Sequence, residues 1–479
     1  MNKNDNYIIE ITDFTSNGEG IGRADDFPLF VKDAIIGDKV LVKVIKVKKT
    51  YGYARLLEII EPSSDRVEPE CPQAKRCGGC QIQTLSYDKQ LEFKQKLVRD
   101  NLSRIGGIDN FDIEPIVGME HPFRFRNKEQ FPIRRNKDGK IVAGFFAGRT
   151  HSLIEIDDCK VSMPVMKEIM DAVLAVANKY NVEPYDEENH SGILRHVLLR
   201  YGFYSKQIMV CFVINSNKLP YSDEFINILA DIDGVHSICI NINKKKTNVI
   251  LGDKTITLWG KDYIEDQILG LTFNISPVSF YQVNPTQMQK LYSIALEYAN
   301  LTGDEIVWDL YCGIGTISLC MAQRAKWVYG VEIVERAIED AKINAIKNNI
   351  TNVEFMAGKA EEVVPRFYEN NSQKPDVIVV DPPRKGCDKK LLETISSIEP
   401  DRIVYVSCNP STLARDVKYL KENGYNLVKC RAVDQFGHTT HVETVCLLSN
   451  RKPDSYVHLN LKMEDYYRIK DAEKEQGKK

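Results

Sequence analysis

The 479-residue sequence has no apolar run long enough to cross a bilayer, so an inserted membrane span is not expected. Its first residues, MNKNDNYIIE, lack the basic start and apolar stretch of a secretory signal, which makes the cytosol the expected location. It has almost no net charge, −3, so the whole-chain balance carries no information about a polyanionic partner. Nor does it have a disordered chain's composition, since 43% of residues are hydrophobic and 27% charged. What the length excludes is a single core, and about two to four domains are expected.

The charge that is present is clustered. Lys43, Lys46, Lys48, Lys49 and Arg55 fall in one segment, and Arg124, Arg126, Lys128, Arg134, Arg135, Lys137 and Lys140 in another. Most charge runs are solvated faces, but two dense basic segments in an acidic protein mark where phosphates would sit. Twelve cysteines are many for the cytosol, where disulfides rarely persist. Cys211, Cys239, Cys320 and Cys446 stand in apolar surroundings and read as small core residues. Cys71, Cys77 and Cys80 crowd into ten residues, and three thiolates on one tight loop suit either zinc or an iron–sulfur cluster with a distant fourth ligand.

Residues 1–64 read as a small β-barrel of the oligonucleotide-binding type, with strands over 7–11 and 39–46. Gly18-Glu-Gly20-Ile-Gly22 imitates a dinucleotide fingerprint, but no helical pattern follows and a hairpin turn is expected. A Pro- and charge-rich linker over 61–70 leads to the cysteine loop, then to an amphipathic helix over 87–105 that could pack on the later domain. Residues 65–275 form a mixed α/β middle domain without a nucleotide-binding signature. Over 276–450 the texture becomes regular β-α alternation, with strands over 306–310, 327–331, 353–356, 377–380, 403–406 and 442–448 and a helix over 335–347. This predicts a Rossmann-like, doubly wound parallel sheet. Residues 451–479 read as a polar tail.

In Asp309-Leu-Tyr311-Cys-Gly313-Ile-Gly315-Thr316 a strand enters a glycine turn and then a helix. Such a turn brings backbone close to a ligand at the carboxyl end of a sheet. Asp309 beside it would repel a pyrophosphate but suits the cationic sulfonium and amino groups of S-adenosylmethionine. Glu332, ending the next strand, stands at the spacing for binding ribose hydroxyls.

Val380-Asp381-Pro382-Pro383-Arg384 follows a later strand, and Ser407-Cys408-Asn409-Pro410 the one after it. The prolines alone would be a strand-to-helix stop, and a lone cysteine reads as a buried thiol. Together they suit methylation at carbon 5 of uracil. There a thiolate adds to carbon 6, the resulting enolate takes a methyl group at carbon 5, and a base removes the carbon-5 proton so that the thiol can leave. Cys408 is the nucleophile in this reading. In His441-Val-Glu443 both His441 and Glu443 are base candidates.

These motifs, with Phe280-Tyr281-Gln282-Val283-Asn284, resemble in order the RNA uridine-5 methyltransferase family, over almost the whole chain. The resemblance implies that the opening barrel is a TRAM domain, an RNA-binding module. It implies that Gln282, Tyr311, Glu332 and Asp381 line the S-adenosylmethionine site beside Gly313 and Gly315, and that Cys408 is the nucleophile with Glu443 the proton acceptor. It further implies a 4Fe–4S cluster on Cys71, Cys77, Cys80 and Cys159, of structural and RNA-shaping use. Relatives with both barrel and cluster act mostly on 23S ribosomal RNA, whereas the transfer-RNA type lacking both is shorter. A cytoplasmic monomer acting on ribosomal RNA, with no DNA partner, is therefore expected. The rival readings are a transfer-RNA enzyme, a base N-methyltransferase, for which Cys408 would be spare, and a non-enzymatic RNA-binding iron–sulfur protein.

Overall fold

The computed structural model describes residues 1–450 apart from 110, 149, 372 and 373. The expected polar tail over 451–479 lies outside the described residues. Among the described residues no helix is long and apolar enough to cross a membrane.

The chain opens with five strands, β1 (Asn6–Phe14), β2 (Gly20–Ala24), β3 (Phe27–Val31), β4 (Lys39–Val47) and β5 (Gly52–Glu61), closed into a barrel in the order β1-β2-β3-β5-β4. Alternation drives the closure. Val40, Val42 and Val44 of β4 are fully buried with Ile11, Leu29 and Val31, while the residues between them face outward. The Gly18–Gly22 stretch is the β1–β2 hairpin, with Gly18 at φ +78°, and no helix follows.

Helix α1 (Tyr87–Arg104) and strand β6 (Asp112–Val117) come next. A seven-stranded sheet follows, built from β7 (Lys128–Arg135), β8 (Ile141–Phe146), β9 (Leu153–Glu155), β10 (Leu194–Tyr201), β11 (Ile208–Ile214), β12 (Val235–Ile242) and β13 (Lys254–Gly260). Helices α2 (Val165–Lys179) and α3 (Ser222–Ala230) cover one of its faces, burying Met166, Ile169, Val173, Phe225 and Leu229 against Phe131, Val210 and Phe212. A two-stranded ribbon, β14 (Ile264–Ile268) and β15 (Leu271–Ile275), leads onward.

The last part alternates α4 (Pro285–Ala299), β16 (Ile306–Leu310), α5 (Thr316–Ala322), β17 (Trp327–Glu332), α6 (Glu335–Lys347), β18 (Val353–Ala357), α7 (Ala360–Asn371), β19 (Val377–Val380), α8 (Lys389–Ile398), β20 (Arg402–Ser407), α9 (Pro410–Glu422), β21 (Asn426–Val433) and β22 (Glu443–Ser449). The sheet order is β18-β17-β16-β19-β20-β22-β21-β6. Strands β16 to β20 are parallel and nearly all apolar, as strands covered on both faces must be. The sheet is not parallel throughout. The β21–β22 hairpin enters antiparallel, and β6, some 300 positions earlier by residue number, closes the edge beside β21. Helix α1 packs on α9 and contributes Val98 and Leu102 to this domain's core.

Candidate active site

The parallel strands end together at one sheet edge. At the end of β16, Tyr311 takes a left-handed backbone (φ +73°), and its N–H and that of Cys312 both donate to the Val331 carbonyl, at 2.9 and 3.0 Å. Gly315 has φ +81°, and a Cβ there would stand 2.9 Å from the Phe355 ring and 3.2 Å from Ala341. Glycine is therefore required, both by conformation and by the close packing of α5 on β18. Glu332, ending β17, is held by two backbone donors, Gly313 N–H at 3.2 Å and Val334 N–H at 3.0 Å. Exposed Ile333 and Val334 lie beside it, an apolar surface next to a fixed carboxylate.

Asp309 is fully buried and accepts a hydrogen bond from Ser318 Oγ at 2.5 Å, while its other oxygen has no partner. Burial pushes its carboxyl up to about 7, against the effect of Ser318. Asp381 is half-buried, and burial together with the charge of Asp309 raises it to about 7 as well. Among the described residues no basic side chain forms an ion pair with Asp309, Glu332 or Asp381. Carboxylates gathered in a desolvated site without a countercharge suit a cationic ligand. Gln282 is buried on the segment before α4, where Asn127 fastens the backbone to β7: its N–H donates to the Val283 carbonyl at 2.9 Å and its side-chain amide to the Gln282 carbonyl at 3.3 Å.

Cys408 follows β20 directly. Asn409 makes the exit abrupt by capping α9, its side chain accepting from Ser411 N–H at 3.1 Å with Pro410 at the first helical position. Its amide also donates to the Arg384 carbonyl at 3.0 Å, tying the cysteine turn to the Asp-Pro-Pro-Arg turn. On β22, Thr444 pairs with Ser407, so the register places Glu443 beside Cys408. Glu443 is 3% exposed. An acidic residue on an edge strand would have been solvated, but β22 is interior, between β20 and β21. Burial first, then the Asp381 charge, push Glu443 up to about 8, with Arg384 opposing. The Cys408 thiol is raised to about 11 by burial, Glu443 and Asp381, again with Arg384 opposing. His441 is half-buried just outside the strand, and burial lowers its pKa, with help from Arg384 and Lys94.

The structure thus gathers Cys408, Glu443, Asp381 and Arg384 at one edge, with Asp309, Tyr311 and Glu332 along it. Arg384 stood in the quoted motif without a role. Its sequence signal was its place one residue after Asp-Pro-Pro.

The four cysteines away from this edge also converge. Cys80 is pushed up to about 12 by burial and by the neighbouring Cys159, Cys77 and Cys71 thiols, and Cys159 to about 11 by burial and Glu129. Arg124 forks onto Asp158, with both bonds at 2.6 Å, and donates to the Cys159 carbonyl at 3.0 Å, fixing that loop. Among the described residues no group of three His, Cys, Asp or Glu side chains is set to hold a metal ion, so the iron–sulfur centre expected of the middle domain is not shown.

The two basic segments fare differently. Arg124, Arg126, Arg134 and Arg135 are paired with Asp158, Glu129, Glu187 and Glu183, so most of the expected phosphate-holding segment is neutralised internally. On the barrel Lys46, Lys48, Lys49 and Arg55 are exposed, with no carboxylate partner among the described residues, beside Phe30 stacked on Tyr51 at 4.9 Å.

Comparison with known proteins agrees with this layout. The profile of the tRNA (Uracil-5-)-methyltransferase family matches residues 86–451, and that of the TRAM domain residues 4–57. A Clostridium tetani protein described as an uncharacterized RNA methyltransferase is 50% identical over 450 residues, 94% of this chain and 97% of that one. A Halalkalibacterium halodurans protein described in the same way is 49% identical, over 94% of this chain and 98% of its own. Among solved structures, the tRNA (uracil-54, C5)-methyltransferase of Pyrococcus abyssi in complex with S-adenosyl-L-homocysteine superposes with a TM-score of 0.74 at 30% identity, over 92% of this chain and all of that one. The chain belongs to the tRNA (Uracil-5-)-methyltransferase family, with a TRAM domain at its front.

Proposed function

We propose that the protein methylates carbon 5 of a uridine in RNA, with S-adenosylmethionine as donor, Cys408 as nucleophile and Glu443 as proton acceptor. The observation that carries this is the register of β20 against β22, which brings a thiol and a buried carboxyl together at the sheet edge. Asp309 and Asp381, both raised and without a basic partner among the described residues, suit the donor's cationic end, and Glu332 beside Ile333 and Val334 suits its nucleoside. Gln282, Tyr311, Gly313 and Gly315 complete that lining. When bound, the donor supplies a methyl group without its bonding electrons.

The chain's own residues do the rest. The Cys408 thiol loses its proton to solvent, its sulfur forms a bond to carbon 6 of uracil, and the carbon 5–carbon 6 electron pair moves toward the ring carbonyl. The enolate pair at carbon 5 then takes the methyl group. Glu443 removes the remaining carbon-5 proton, the double bond re-forms, and the carbon–sulfur bond breaks to release the thiolate. The acceptor is the ionised carboxylate, and one whose pKa is raised to about 8 is a stronger base than an ordinary glutamate and holds that proton better. Arg384 opposes the negative charge that develops at the sulfur.

Cys71, Cys77, Cys80 and Cys159 are proposed as the ligands of a 4Fe–4S cluster, supported by their convergence and by thiols whose burial makes an uncompensated thiolate costly. The proposed substrate is 23S ribosomal RNA, and the enzyme is read as a cytoplasmic monomer. A transfer-RNA substrate is the second reading. It is favoured by the Pyrococcus abyssi tRNA (uracil-54, C5)-methyltransferase, which covers 92% of this chain, so chain length does not separate the two.

The experiment offers transcripts of both RNAs to the purified protein with labelled donor. Cys408→Ala should form no adduct and transfer no methyl group. Glu443→Gln should accumulate methylated RNA bound covalently to Cys408, visible as a slow band on a denaturing gel. Normal turnover by Glu443→Gln, with trapping by His441→Ala instead, would transfer the base role to the histidine.

A further inference from the structure

Residues 434–442 join β21 to β22 and end at Glu443. Along this segment a few turns are local, at Gln435, Thr439 and His441, but most fixed points come from far away in the chain. Lys94 and Asp434 are both fully buried, with Lys94 Nζ 2.5 Å from one Asp434 oxygen and 2.9 Å from the Phe436 carbonyl. The other Asp434 oxygen accepts from the Tyr87 hydroxyl at 2.7 Å, and that hydroxyl in turn accepts the Met119 N–H at 2.7 Å. Gln90 accepts the His438 N–H at 3.0 Å. The His438 carbonyl accepts the N–H groups of Gln81 and Ile82, at 2.9 and 3.0 Å, the two residues directly after Cys80. Thr440 donates to the Ser16 carbonyl of the barrel at 2.7 Å. Gln435 and Asn284 exchange side chain-to-backbone hydrogen bonds in both directions, at 3.2 and 3.3 Å, linking the same segment to the strand exit that carries Gln282.

A buried ion pair adds little stability over an apolar pair of equal volume. What this one supplies is direction. Lys94 reaches past Asp434 to Phe436, so the pair fixes two points of the segment rather than one. His438 holds a left-handed backbone, φ +63°, with its ring stacked on Phe123 at 4.2 Å, a conformation that persists because the surroundings determine it.

We infer that Lys94, Asp434 and Gln90 are positioning residues for Glu443, holding 434–442 in the shape that sets the proton acceptor against the site. Through Gln81 and Ser16, the cysteine loop and the barrel bear on the same segment. The inference rests on the reading of Glu443 as the acceptor, and the two can be tested apart.

Lys94→Met with Asp434→Asn removes both charges together and leaves no buried ion unpaired. The variant should bind S-adenosylmethionine and form the Cys408 adduct with 5-fluorouridine-substituted transfer-RNA and 23S transcripts as the unaltered protein does. On the natural transcripts turnover should fall about 10- to 100-fold, the scale expected of a small misplacement of a reacting group. Methylated adduct should accumulate as it does in Glu443→Gln. Gln90→Leu keeps the ion pair and should show the same accumulation to a lesser degree, which decides the matter if the double variant does not fold. Unaltered turnover in both variants, or parallel loss of fluorouridine adduct and donor binding, would overturn the inference. If Glu443→Gln itself accumulates no adduct, the reading of Glu443 fails. If it does while neither positioning variant does, the positioning role alone fails.

Discussion

Replacing Glu443 by glutamine should do more than stall the reaction. It should make the protein more stable, by an amount that depends on pH. The carboxyl is raised from an ordinary 4.5 to about 8 in the folded state. A group raised on folding contributes stability that is complete below its unfolded pKa and is lost as pH rises through its folded one. Between about 4.5 and 8, therefore, ionisation of this residue favours the unfolded chain. At about 1.36 kcal/mol per pKa unit, the loss is about 3 kcal/mol at pH 7, about 4 at pH 8 and under about 1 at pH 5. Glutamine does not titrate and avoids it. An amide in the same buried position can leave a donor without a partner, at about 1–3 kcal/mol, but that cost does not vary with pH. The difference between the variant's advantage at pH 8 and at pH 5 isolates the carboxyl, and should be about 3 kcal/mol in favour of glutamine. Urea denaturation of both proteins between pH 5 and 8.5, fitted with a common slope, measures it. A stability difference that stays flat with pH, or that favours the unaltered protein more as pH rises, would refute the assignment of a strained, buried carboxyl.

The barrel should carry a salt-sensitive part of RNA binding. With Lys46, Lys48 and Lys49 changed together to alanine, RNA affinity should fall and the slope of log affinity against log salt should shrink by about 2, at roughly 0.7 per lost contact to single-stranded phosphate, while donor binding stays the same. An unchanged slope would remove the barrel lysines from the RNA path. For the cysteines, protein purified without oxygen should be brown with about four irons per chain, and Cys80→Ala should lose the colour and destabilise the middle domain. One zinc and no sulfide would refute the cluster.

The parallel half of the catalytic sheet was legible because its elements are local. The strand over 306–310 and the helix over 335–347 occur with those bounds, since buried strands and amphipathic helices write their periods into neighbouring residues. The glycine turn was legible for the same reason, with Asp309, Gly313 and Gly315 within seven positions. What was not legible is pairing at long range. Nothing in Asp112–Val117 announces that it closes a sheet against Asn426–Val433, and β21 itself went unrecognised because its alternation is weak. The arginines over 124–135 read as a phosphate surface because their carboxylate partners, Asp158, Glu183 and Glu187, lie 34 to 53 positions away. The residues themselves left His441 and Glu443 as equal base candidates, because the burial of Glu443 comes from a strand on each side of it.

That placement explains why the proposed proton acceptor comes from where it does. In a parallel sheet the residues at the active edge are those that end each strand, and Tyr311, Glu332, Asp381 and Cys408 all stand at such ends. Each is followed by a short loop and a helix that carries the chain back across the sheet. Strand β22 runs the other way, and its residue at that edge is its first, Glu443. The chain arriving there has no helix behind it, only 434–442, a largely buried irregular segment that leads into the sheet. An irregular segment has its own polar backbone to satisfy, and here the partners come from α1, the cysteine loop, the barrel and the exit carrying Gln282. The antiparallel strand therefore does two things at once. It sets a carboxyl against a thiol that the parallel strands alone could not oppose, and it makes the carboxyl's position depend on the parts of the molecule proposed to meet the RNA.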